Sequence, residues 1–203
     1  LPSWLNFDAA TRTFSGTPAN GDVGTVTITV TATDGTGATA SDSFDIVVGN
    51  TNDAPTLASP IADQSATEDS AFSFTFGAGT FADVDAGDSL SYSTSALPGW
   101  LSFDAATRTF SGTPTNADVG TVTITVTATD GSGATASDSF DIVVGNTNDA
   151  PTLASPIADQ SATEDNGFSF QLPAGTFADV DAGDSLSYST SALPSWLSFD
   201  AAT

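Results

Sequence analysis

Apolar and polar positions alternate along most of the chain, which predicts β-strands rather than helices. In residues 121–129 the apolar residues at even positions alternate with five threonines at odd positions. A period of two with one apolar face is typical of a strand that covers a core, and β-branched threonine suits the exposed face. Residues 130–133 read Asp-Gly-Ser-Gly, which indicates a hairpin. The returning strand places Phe140, Ile142 and Val144 on one face.

Other segments show the same alternation with more interruptions. Residues 71–76 place three phenylalanines on one face. Residues 55–63 predict a first strand at a sheet edge that switches between sheets, because Pro60 cannot donate a hydrogen bond within a ladder. Residues 97–103 predict a corner strand that packs Trp100 inward. We expect about seven short strands in each unit, without the 3.6-residue period of an amphipathic helix.

These strands predict an all-β fold of tandem antiparallel β-sandwiches with Greek-key topology and an immunoglobulin-like architecture. The Cys…Trp…Cys pattern of true immunoglobulin domains is absent, since the chain has no cysteine. Without disulfides, the stability of a secreted domain depends on core burial and bound metal. Aromatic residues such as Tyr92, Trp100 and Phe140 are expected to fill the core.

The chain contains an internal repeat with a period of 96 residues, which is marked by Trp4, Trp100 and Trp196. A unit of this length is the size of a domain. The heptapeptide Gly-Asn-Thr-Asn-Asp-Ala-Pro occurs twice and marks the junctions between units. We therefore expect the C-terminal part of one repeat in residues 1–53, a complete repeat in residues 54–149 and the N-terminal part of the next in residues 150–203.

The two end segments begin and end inside motifs, so we interpret the sequence as a window from a longer array. Residues 150–203 contain the front strands of a repeat and residues 1–53 contain the back strands. Two molecules could therefore complement each other head to tail and cover their open edges. The complete repeat lies between the two segments, which disfavours their pairing within one chain.

The net charge is −23, from 25 acidic residues against two arginines, with no lysine and no histidine. This excess disfavours nucleic acid and anionic membrane surfaces as partners. Repulsion among the carboxylates destabilises a compact fold, so it favours bound divalent cations or, alternatively, a halophilic or marine solvent. The absence of histidine and cysteine removes the commonest general base and the usual zinc ligands. We predict that the chain is not an enzyme.

Oxygen ligands are concentrated in the junctions and in an acidic loop. The loop Asp-Val-Asp-Ala-Gly-Asp occurs at residues 83–88 and again at residues 179–184. Calcium takes about six to eight oxygen ligands from carboxylates, amides and backbone carbonyls. An Asp-x-Asp pair beside a glycine turn supplies several of them, although the spacing differs from that of an EF-hand loop. Ordinary polar residues of turns and junctions are the alternative interpretation.

Four motifs of the repeat resemble cadherin repeats and occur in the cadherin order. They are the early Glu68, the acidic loop that leads into Leu-Ser-Tyr-Ser, the Ala-Thr-Asp-Gly segment at residues 128–131 and the Asn-Asp-Ala-Pro linker at residues 148–151. Residues 97–104, Leu-Pro-Gly-Trp-Leu-Ser-Phe-Asp, are followed by Phe-Ser-Gly-Thr-Pro at residues 110–114. This middle part resembles the dystroglycan-type cadherin-like repeat, which is also met in large bacterial surface proteins. The resemblance spans the whole 96-residue unit.

The resemblance implies calcium (Ca²⁺) at each junction. The implied ligands at the first junction are Asn50, Asn52, Asp53, Asp83, Asp85 and Asp130. The implied ligands at the second junction are Glu68, Asn146, Asn148, Asp149, Asp179 and Asp181. Asn146 stands where the cadherin linker has its first Asp, and the linker's second Asn is missing. One or two ions per junction are therefore expected rather than three.

These features predict a calcium-rigidified spacer or adhesion array of a large secreted or cell-surface protein, anchored to a membrane or cell wall. Its expected partners are the neighbouring repeats and a cell-surface protein or glycan. The alternative is a carbohydrate-binding or accessory module attached to an extracellular polysaccharide-active enzyme, with the repeated tryptophans as a stacking platform. The leucine beside each tryptophan and the phenylalanine that follows favour core packing instead.

Overall fold

The computed structural model describes residues 1–201, in which nearly all regular structure is β-strand. Residues 1–53 contain β1 (Leu5–Asp8), β2 (Thr13–Gly16), β3 (Gly24–Thr33) and β4 (Thr39–Val48). Residues 54–149 contain β5 (Thr56–Leu57), β6 (Gln64–Thr67), β7 (Phe72–Thr75), β8 (Phe81–Ala82), β9 (Ser91–Thr94), β10 (Leu101–Asp104), β11 (Thr109–Gly112), β12 (Gly120–Thr129) and β13 (Thr135–Gly145). Residues 150–201 contain β14 (Thr152–Leu153) and β15 (Phe177–Ala178).

Two 3-10 turns, Asn20–Asp22 and Asn116–Asp118, are the helical segments of residues 1–201. Neither of them approaches the length or apolar character of a helix that could cross a membrane. Each turn lies just before the first long strand of its repeat, β3 or β12.

Residues 54–149 form a sandwich of two main sheets. One sheet has three strands in the order β10-β11-β7, and the other has four strands in the order β6-β13-β12-β9. The short strands β5 and β8 form a separate pair. The long hairpin of β12 and β13 is continuously paired from Gly120, opposite Val144, to Thr129, opposite Thr135. The seven strands of the main sheets confirm the predicted all-β sandwich.

The core lies between these sheets and is centred on phenylalanines from both of them. Phe110 on β11 and Phe140 on β13 are buried, with ring centroids 5.6 Å apart. Phe74 on β7 contacts both rings. Ile124 and Val126 on the apolar face of β12 join the same cluster. Burial of one such side chain contributes about 1.5–3 kcal/mol, so this cluster is a main stabilising feature of a domain without disulfides.

One strand pair departs from the expected antiparallel arrangement. β6 pairs with β13 in parallel, with Gln64 opposite Ile142 and Thr67 opposite Gly145. The physical reason is the sheet switch at the start of the repeat. After β5 has paired with β8, the chain passes Pro60 and continues in the other sheet, where it runs in the same direction as the last strand.

Trp100 lies in a turn just before β10 rather than within a strand, although it does pack inward. Its half-buried ring contacts Phe72 edge-on, with centroids 5.9 Å apart. Gly112 on β11 approaches the Trp100 backbone so closely that a Cβ atom there would lie 1.9 Å from the Trp100 carbonyl oxygen. The same approach recurs between Gly16 and Trp4, at 1.8 Å. Only glycine fits at these two positions.

The flanking segments contain parts of the same sandwich with fewer strand partners. β1 pairs with β2 and β3 pairs with β4, whereas the residues equivalent to β6, β7 and β9 in the third segment form no strands. Phe44 is 41% exposed, while the equivalent Phe140 is 2% exposed. Trp196 is 65% exposed. Apolar faces that are covered in the complete repeat are therefore open in both flanking segments.

Candidate metal sites at the repeat junctions

The acidic loop at residues 83–88 folds so that its carboxylates lie close together. The Asp85 N–H donates to Asp83 Oδ1 at 2.9 Å, and the Asp88 N–H donates to the Asp85 carbonyl oxygen at 3.2 Å. Gly87 has a φ of 98°, a left-handed conformation that glycine adopts without a Cβ clash. Asp85 is buried, with 4% of its surface exposed. The loop thus removes one carboxylate from water and places others beside it.

Asp130 joins this loop from the hairpin between β12 and β13. Its Oδ1 accepts hydrogen bonds from the N–H groups of Ser132 and Ala134 at 2.9 and 2.8 Å, which fixes the carboxylate within its own turn. Oxygen atoms of Asp83, Asp88 and Asp130 lie within 4.8 Å of one another. These residues meet because the turn before β13 and the loop before β9 lie at the same end of the four-stranded sheet, where Ser91 is opposite Thr129.

The environment of this cluster raises the pKa of one of its carboxylates and lowers the pKa of another. Partial desolvation, followed by repulsion from Asp83, Asp85 and Asp130, raises the pKa of Asp88. The hydrogen bond from the Asn52 side chain, supported by backbone N–H groups of the hairpin, lowers the pKa of Asp130. Like charges that crowd one another in this way favour a cation between them.

The first linker reaches into this cluster through two hydrogen bonds. Asn52 Nδ2 donates to Asp130 Oδ2 at 3.0 Å, and the Asp53 N–H donates to Asp85 Oδ2 at 2.7 Å. Both acceptors belong to the complete repeat. The linker therefore contacts two carboxylates of the following repeat directly.

The second junction repeats the contacts that Asp53, Asp83 and Asp85 make at the first. The Asp149 N–H donates to Asp181 Oδ2 at 2.7 Å, and the Asp181 N–H donates to Asp179 Oδ1 at 3.0 Å. Carboxylate oxygens of Asp179, Asp181 and Asp184 lie within 4.8 Å of one another. Asn148 Nδ2 donates to the Asp149 carbonyl oxygen at 2.9 Å.

Glu68 approaches the second junction from the complete repeat. Its side chain has no exposed surface, which is rare for a glutamate without a cationic partner. The Glu68 N–H donates to the Gly145 carbonyl oxygen at 3.1 Å, which extends the parallel ladder of β6 and β13. Oε1 accepts a hydrogen bond of 2.6 Å from the Thr147 N–H. Glu68 thus holds the start of the linker with one oxygen.

The second oxygen of Glu68 belongs to a small set of buried atoms that have no hydrogen-bond partner. In residues 1–201, the buried side-chain atoms without a partner are Glu68 Oε2, Asp83 Oδ2, Asp85 Oδ1, Asp181 Oδ1 and Arg108 Nε. Burial of a polar group without a partner costs about 1–3 kcal/mol. Four of the five atoms are carboxylate oxygens, and each of these belongs to a predicted calcium ligand. This donor set of hard oxygen atoms fits calcium.

The structure brings most of the predicted ligands together, but not all of them. At the first junction Asn52, Asp53, Asp83, Asp85 and Asp130 are connected by hydrogen bonds or close approach. At the second junction Asp149, Asp179 and Asp181 are connected in the same way. Asn50 and Asn146 are exposed and make no side-chain hydrogen bond within residues 1–201. Asn148 bonds the Asp149 carbonyl oxygen, and Glu68 bonds the linker at Thr147, rather than the acidic loop.

Four residues that sequence reasoning missed also contact the sites. Asp88 and Asp184 close the acidic loops and join the carboxylate clusters. Their place in the repeated loop is the only signal in the sequence, because the cadherin resemblance implies ligands only at the Asp-x-Asp pair of that loop. Asn20 and Asn116 donate side-chain hydrogen bonds to the linker carboxylates of Asp53 and Asp149. Nothing in the sequence marks these two asparagines, because they lie 33 residues from their acceptors.

Comparison with known proteins agrees with this architecture. The sequence profile of the family described as "Putative Ig domain" matches residues 1–49, 54–145 and 150–203. The chain belongs to this family. The repeats of this Ig-like chain also resemble those of a Staphylococcus aureus (strain MRSA252) protein named "Serine-rich adhesin for platelets", with 34% identity over 151 residues. That match covers 74% of the chain, which spans only 11% of the adhesin's length.

Cadherin ectodomains are among the solved structures that resemble this Ig-like chain. The protocadherin γB4 extracellular domain matches 73% of the chain and 26% of its own length, with a TM-score of 0.54 and 19% identity. Mouse cadherin-23 EC22-24 matches 71% of the chain and 50% of its own length, with a TM-score of 0.51 and 19% identity. These similarities show a shared cadherin-like fold.

Proposed function

We propose that these Ig-like repeats bind calcium at their junctions and form a rigid spacer in an adhesive protein of the cell surface or the secreted fraction. The observation that carries the proposal is the set of four buried carboxylate oxygens without partners at Glu68, Asp83, Asp85 and Asp181. A divalent cation is the simplest group that offsets their burial. Zinc is a poor fit, because its preferred sulfur and imidazole ligands are absent from the chain.

The residues that would hold calcium come from both sides of each linker. At the first junction they are Asn50, Asn52, Asp53, Asp83, Asp85, Asp88 and Asp130. At the second junction they are Glu68, Asn146, Asn148, Asp149, Asp179, Asp181 and Asp184. When bound, the ion would supply positive charge shared between carboxylates of neighbouring segments. We propose one or two ions at each junction.

The hydrogen bonds between the linker and both neighbouring segments support a rigid joint. Glu68 holds the start of the second linker through Thr147, and Asp181 holds its end through Asp149. Ligands that are shared between repeats make separation of the repeats compete with calcium binding. Extracellular calcium modules have a Kd of about 10⁻⁴–10⁻³ M, so such a joint would respond to millimolar calcium.

The adhesive role and the surface location rest on the similarity to the staphylococcal adhesin. The Trp-Leu-Ser-Phe-Asp and Phe-Ser-Gly-Thr-Pro motifs further support a dystroglycan-type subclass of cadherin-like repeat. A cell-surface protein or glycan is the proposed external partner, with calcium-linked repeats holding the binding region away from the surface. Catalysis is not part of the proposal. A glycan-stacking role for Trp100 is less favoured, because its ring packs against Phe72.

Thermal unfolding with and without calcium tests this function directly. Calcium at about 100 times its Kd should add roughly 2.7 kcal/mol to the free energy of unfolding for each site. Small-angle scattering should show an extended, narrow distribution of shapes in calcium and a broader one in EDTA. Magnesium at the same concentration is the control, since it prefers a smaller octahedral shell that retains water. Identical unfolding and scattering in calcium and EDTA would refute the proposal.

A second copy of the chain is the proposed partner of the open flanking segments in the 203-residue molecule. In the complete repeat, β7 pairs with β11 and β9 pairs with β12. The equivalent strands β2 and β3 lack those partners, while residues 168–171 and 187–190 carry nearly the same sequences as β7 and β9. Residues 150–192 of one copy would therefore complete the sandwich begun by residues 1–49 of another.

A further inference from the structure

The linker carboxylates of Asp53 and Asp149 each accept a hydrogen bond from an asparagine of the preceding repeat. Asn20 Nδ2 donates to Asp53 Oδ2 at 2.6 Å, and Asn116 Nδ2 donates to Asp149 Oδ2 at 2.5 Å. The contact occurs at both junctions with the same atoms and the same sequence separation. A hydrogen bond to an ionised carboxylate is shorter and stronger than one between neutral groups, so this contact orders the linker.

A short 3-10 turn presents each asparagine at the correct place. In the complete repeat, Asp118 Oδ2 accepts hydrogen bonds from the N–H and the hydroxyl of Thr115 at 2.9 and 2.8 Å. The Asp118 N–H donates back to the Thr115 carbonyl oxygen at 2.8 Å. In the first segment Asp22 closes the same turn by accepting the Ala19 N–H at 2.9 Å. Asp22 and Asp118 thus fix the turn, which leaves Asn20 and Asn116 free to bind the linker.

The bound linker residue also contacts the following repeat. Asp149 accepts from Asn116 with its side chain and donates its main-chain N–H to Asp181. Asp53 makes the corresponding pair of contacts with Asn20 and Asp85. One residue of the linker therefore connects the preceding repeat to the acidic loop of the next.

We propose that Asn20 and Asn116 are positioning residues of the junctions, which hold the linker carboxylates of Asp53 and Asp149 and thereby fix the linker beside the acidic loops. This inference rests on the proposed calcium sites for its effect on affinity. Its effect on the order of the ion-free linker does not depend on them. The asparagines act by donating a hydrogen bond, which a carboxylate at the same position cannot do because it only accepts.

The test compares Asn116→Ala with Asn20→Ala in the full 203-residue chain. Calcium binding is followed at each junction separately, by NMR titration of the amides of Asp85 and Asp181. Asn116→Ala should weaken binding at the second junction by about tenfold, which corresponds to about 1.4 kcal/mol, and leave the first junction unchanged. Asn20→Ala should do the reverse. Each variant is therefore the matched control of the other.

A second readout, hydrogen exchange of the Asp149 amide in EDTA, reports the ion-free linker. Exchange should be faster in Asn116→Ala than in the wild type, and at least as fast in Asn116→Asp, where the new carboxylate repels Asp149. Asn6→Ser, an exposed change to the residue that the next repeat carries as Ser102, should alter neither readout.

The outcomes separate this inference from the calcium proposal. If the wild type binds no calcium but Asn116→Ala still speeds exchange of the Asp149 amide, the calcium proposal fails and the positioning role stands. If the wild type binds calcium and Asn116→Ala leaves both affinity and exchange unchanged, the positioning role is wrong. A lower melting temperature of the complete repeat in Asn116→Ala, with calcium affinities at both junctions unchanged from the wild type, would also overturn it, because that result indicates a purely structural role.

Discussion

The main-chain N–H of Asp149 donates a 2.7 Å hydrogen bond to Oδ2 of Asp181, while the other oxygen of that carboxylate, Oδ1, is buried without a partner. One side chain therefore holds the linker and also presents an oxygen that requires a partner. Asp53 and Asp85 repeat this relationship at the first junction, where Asp85 Oδ1 is the atom left without a partner. The linker geometry and the candidate metal site thus depend on the same carboxylates.

Substitution of the acidic loop tests this dependence at one junction at a time. In Asp83→Asn/Asp85→Asn, two of the buried oxygens without partners lose their charge and the first junction loses two carboxylate ligands. The variant should lose the calcium-dependent part of its stability at that junction, up to about 2.7 kcal/mol at 100 times the Kd. Differential scanning calorimetry in calcium and in EDTA measures the difference.

The matched control for this variant is Asp179→Asn/Asp181→Asn, which makes the same change in the repeated loop of the third segment. It should abolish the calcium effect at the second junction and preserve it at the first. If both double variants retain the wild-type difference between calcium and EDTA, the acidic loops are ordinary turns.

Glu68→Gln should change stability in opposite directions with and without calcium. Glutamine keeps an oxygen that can accept from the Thr147 N–H but removes the charge from a side chain that has no exposed surface. In EDTA the free energy of unfolding should rise by about 1 kcal/mol, because a buried charge without a counter-ion is lost. In calcium the variant should be less stable than the wild type, because the second junction loses a ligand.

Glu164 provides the control for Glu68, since it is the equivalent residue of the third segment and is exposed. Glu164→Gln should leave the denaturant midpoint unchanged in both conditions. Equal destabilisation by Glu68→Gln in calcium and EDTA would assign Glu68 a packing role instead.

The fold follows from the sequence to a large extent because the strands of the complete repeat have strong local patterns. The alternation in residues 121–129 correctly predicts that β12 turns Ile124 and Val126 into the core. Pro60 correctly predicts a change of sheet. The direction of β6 could not be predicted, because its parallel pairing with β13 depends on contacts between residues about 78 positions apart.

The candidate sites were less predictable, because their geometry depends on which loops meet in space. The burial of Glu68 and the closeness of Asp83 to Asp130 are consequences of tertiary packing, and no local pattern encodes them. Asp88 is present in the repeated acidic loop, but a sequence cannot show that its carboxylate turns back to its neighbours. No sequence motif identifies Asn116 as a residue of the junction, since the turn that contains it has no metal-ligand pattern.

The turn at Asp104 should make the stability of the complete repeat depend on pH in acid. The side chain and N–H of Thr107 and the N–H of Ala106 bind the ionised Asp104 carboxylate and lower its pKa. Because the folded-state pKa lies below the unfolded value of about 3.9, the folded state binds fewer protons in that range. The contribution is therefore present above the unfolded pKa and is lost as the pH falls through the folded pKa.

Asp104→Asn measures this contribution in EDTA, where calcium does not interfere. The free energy of unfolding of the wild type minus that of the variant should be constant near neutral pH and should shrink as the pH falls below the unfolded pKa of about 3.9 and through the lower folded-state pKa. Asp8→Asn should behave in the same way in the first segment, because Thr11 and Ala10 lower the pKa of Asp8. A difference that stays constant through this range would show that these hydrogen bonds do not select the ionised form.

Association between copies of the 203-residue chain should be concentration-dependent and should require the apolar face of the third segment. Phe170 is equivalent to Phe74, which lies opposite Phe110 on β11 and packs against Phe140. In a second copy the corresponding acceptors are Phe14 and Phe44, and Phe44 is 41% exposed. Sedimentation velocity over a range of protein concentrations should show growing head-to-tail species, because each copy has one donor segment and one acceptor segment.

Phe170→Asp should weaken this association by at least about tenfold, because burial of a phenylalanine contributes about 1.5–3 kcal/mol and a buried aspartate adds a desolvation cost. Gln171→Asp introduces the same charge at the next residue, which is equivalent to the exposed Thr75, and should have little effect. The comparison separates burial of one face from general repulsion in a chain of net charge −23. A wild type that remains monomeric at all concentrations, or equal weakening by both variants, would rule out complementation of the open sandwich.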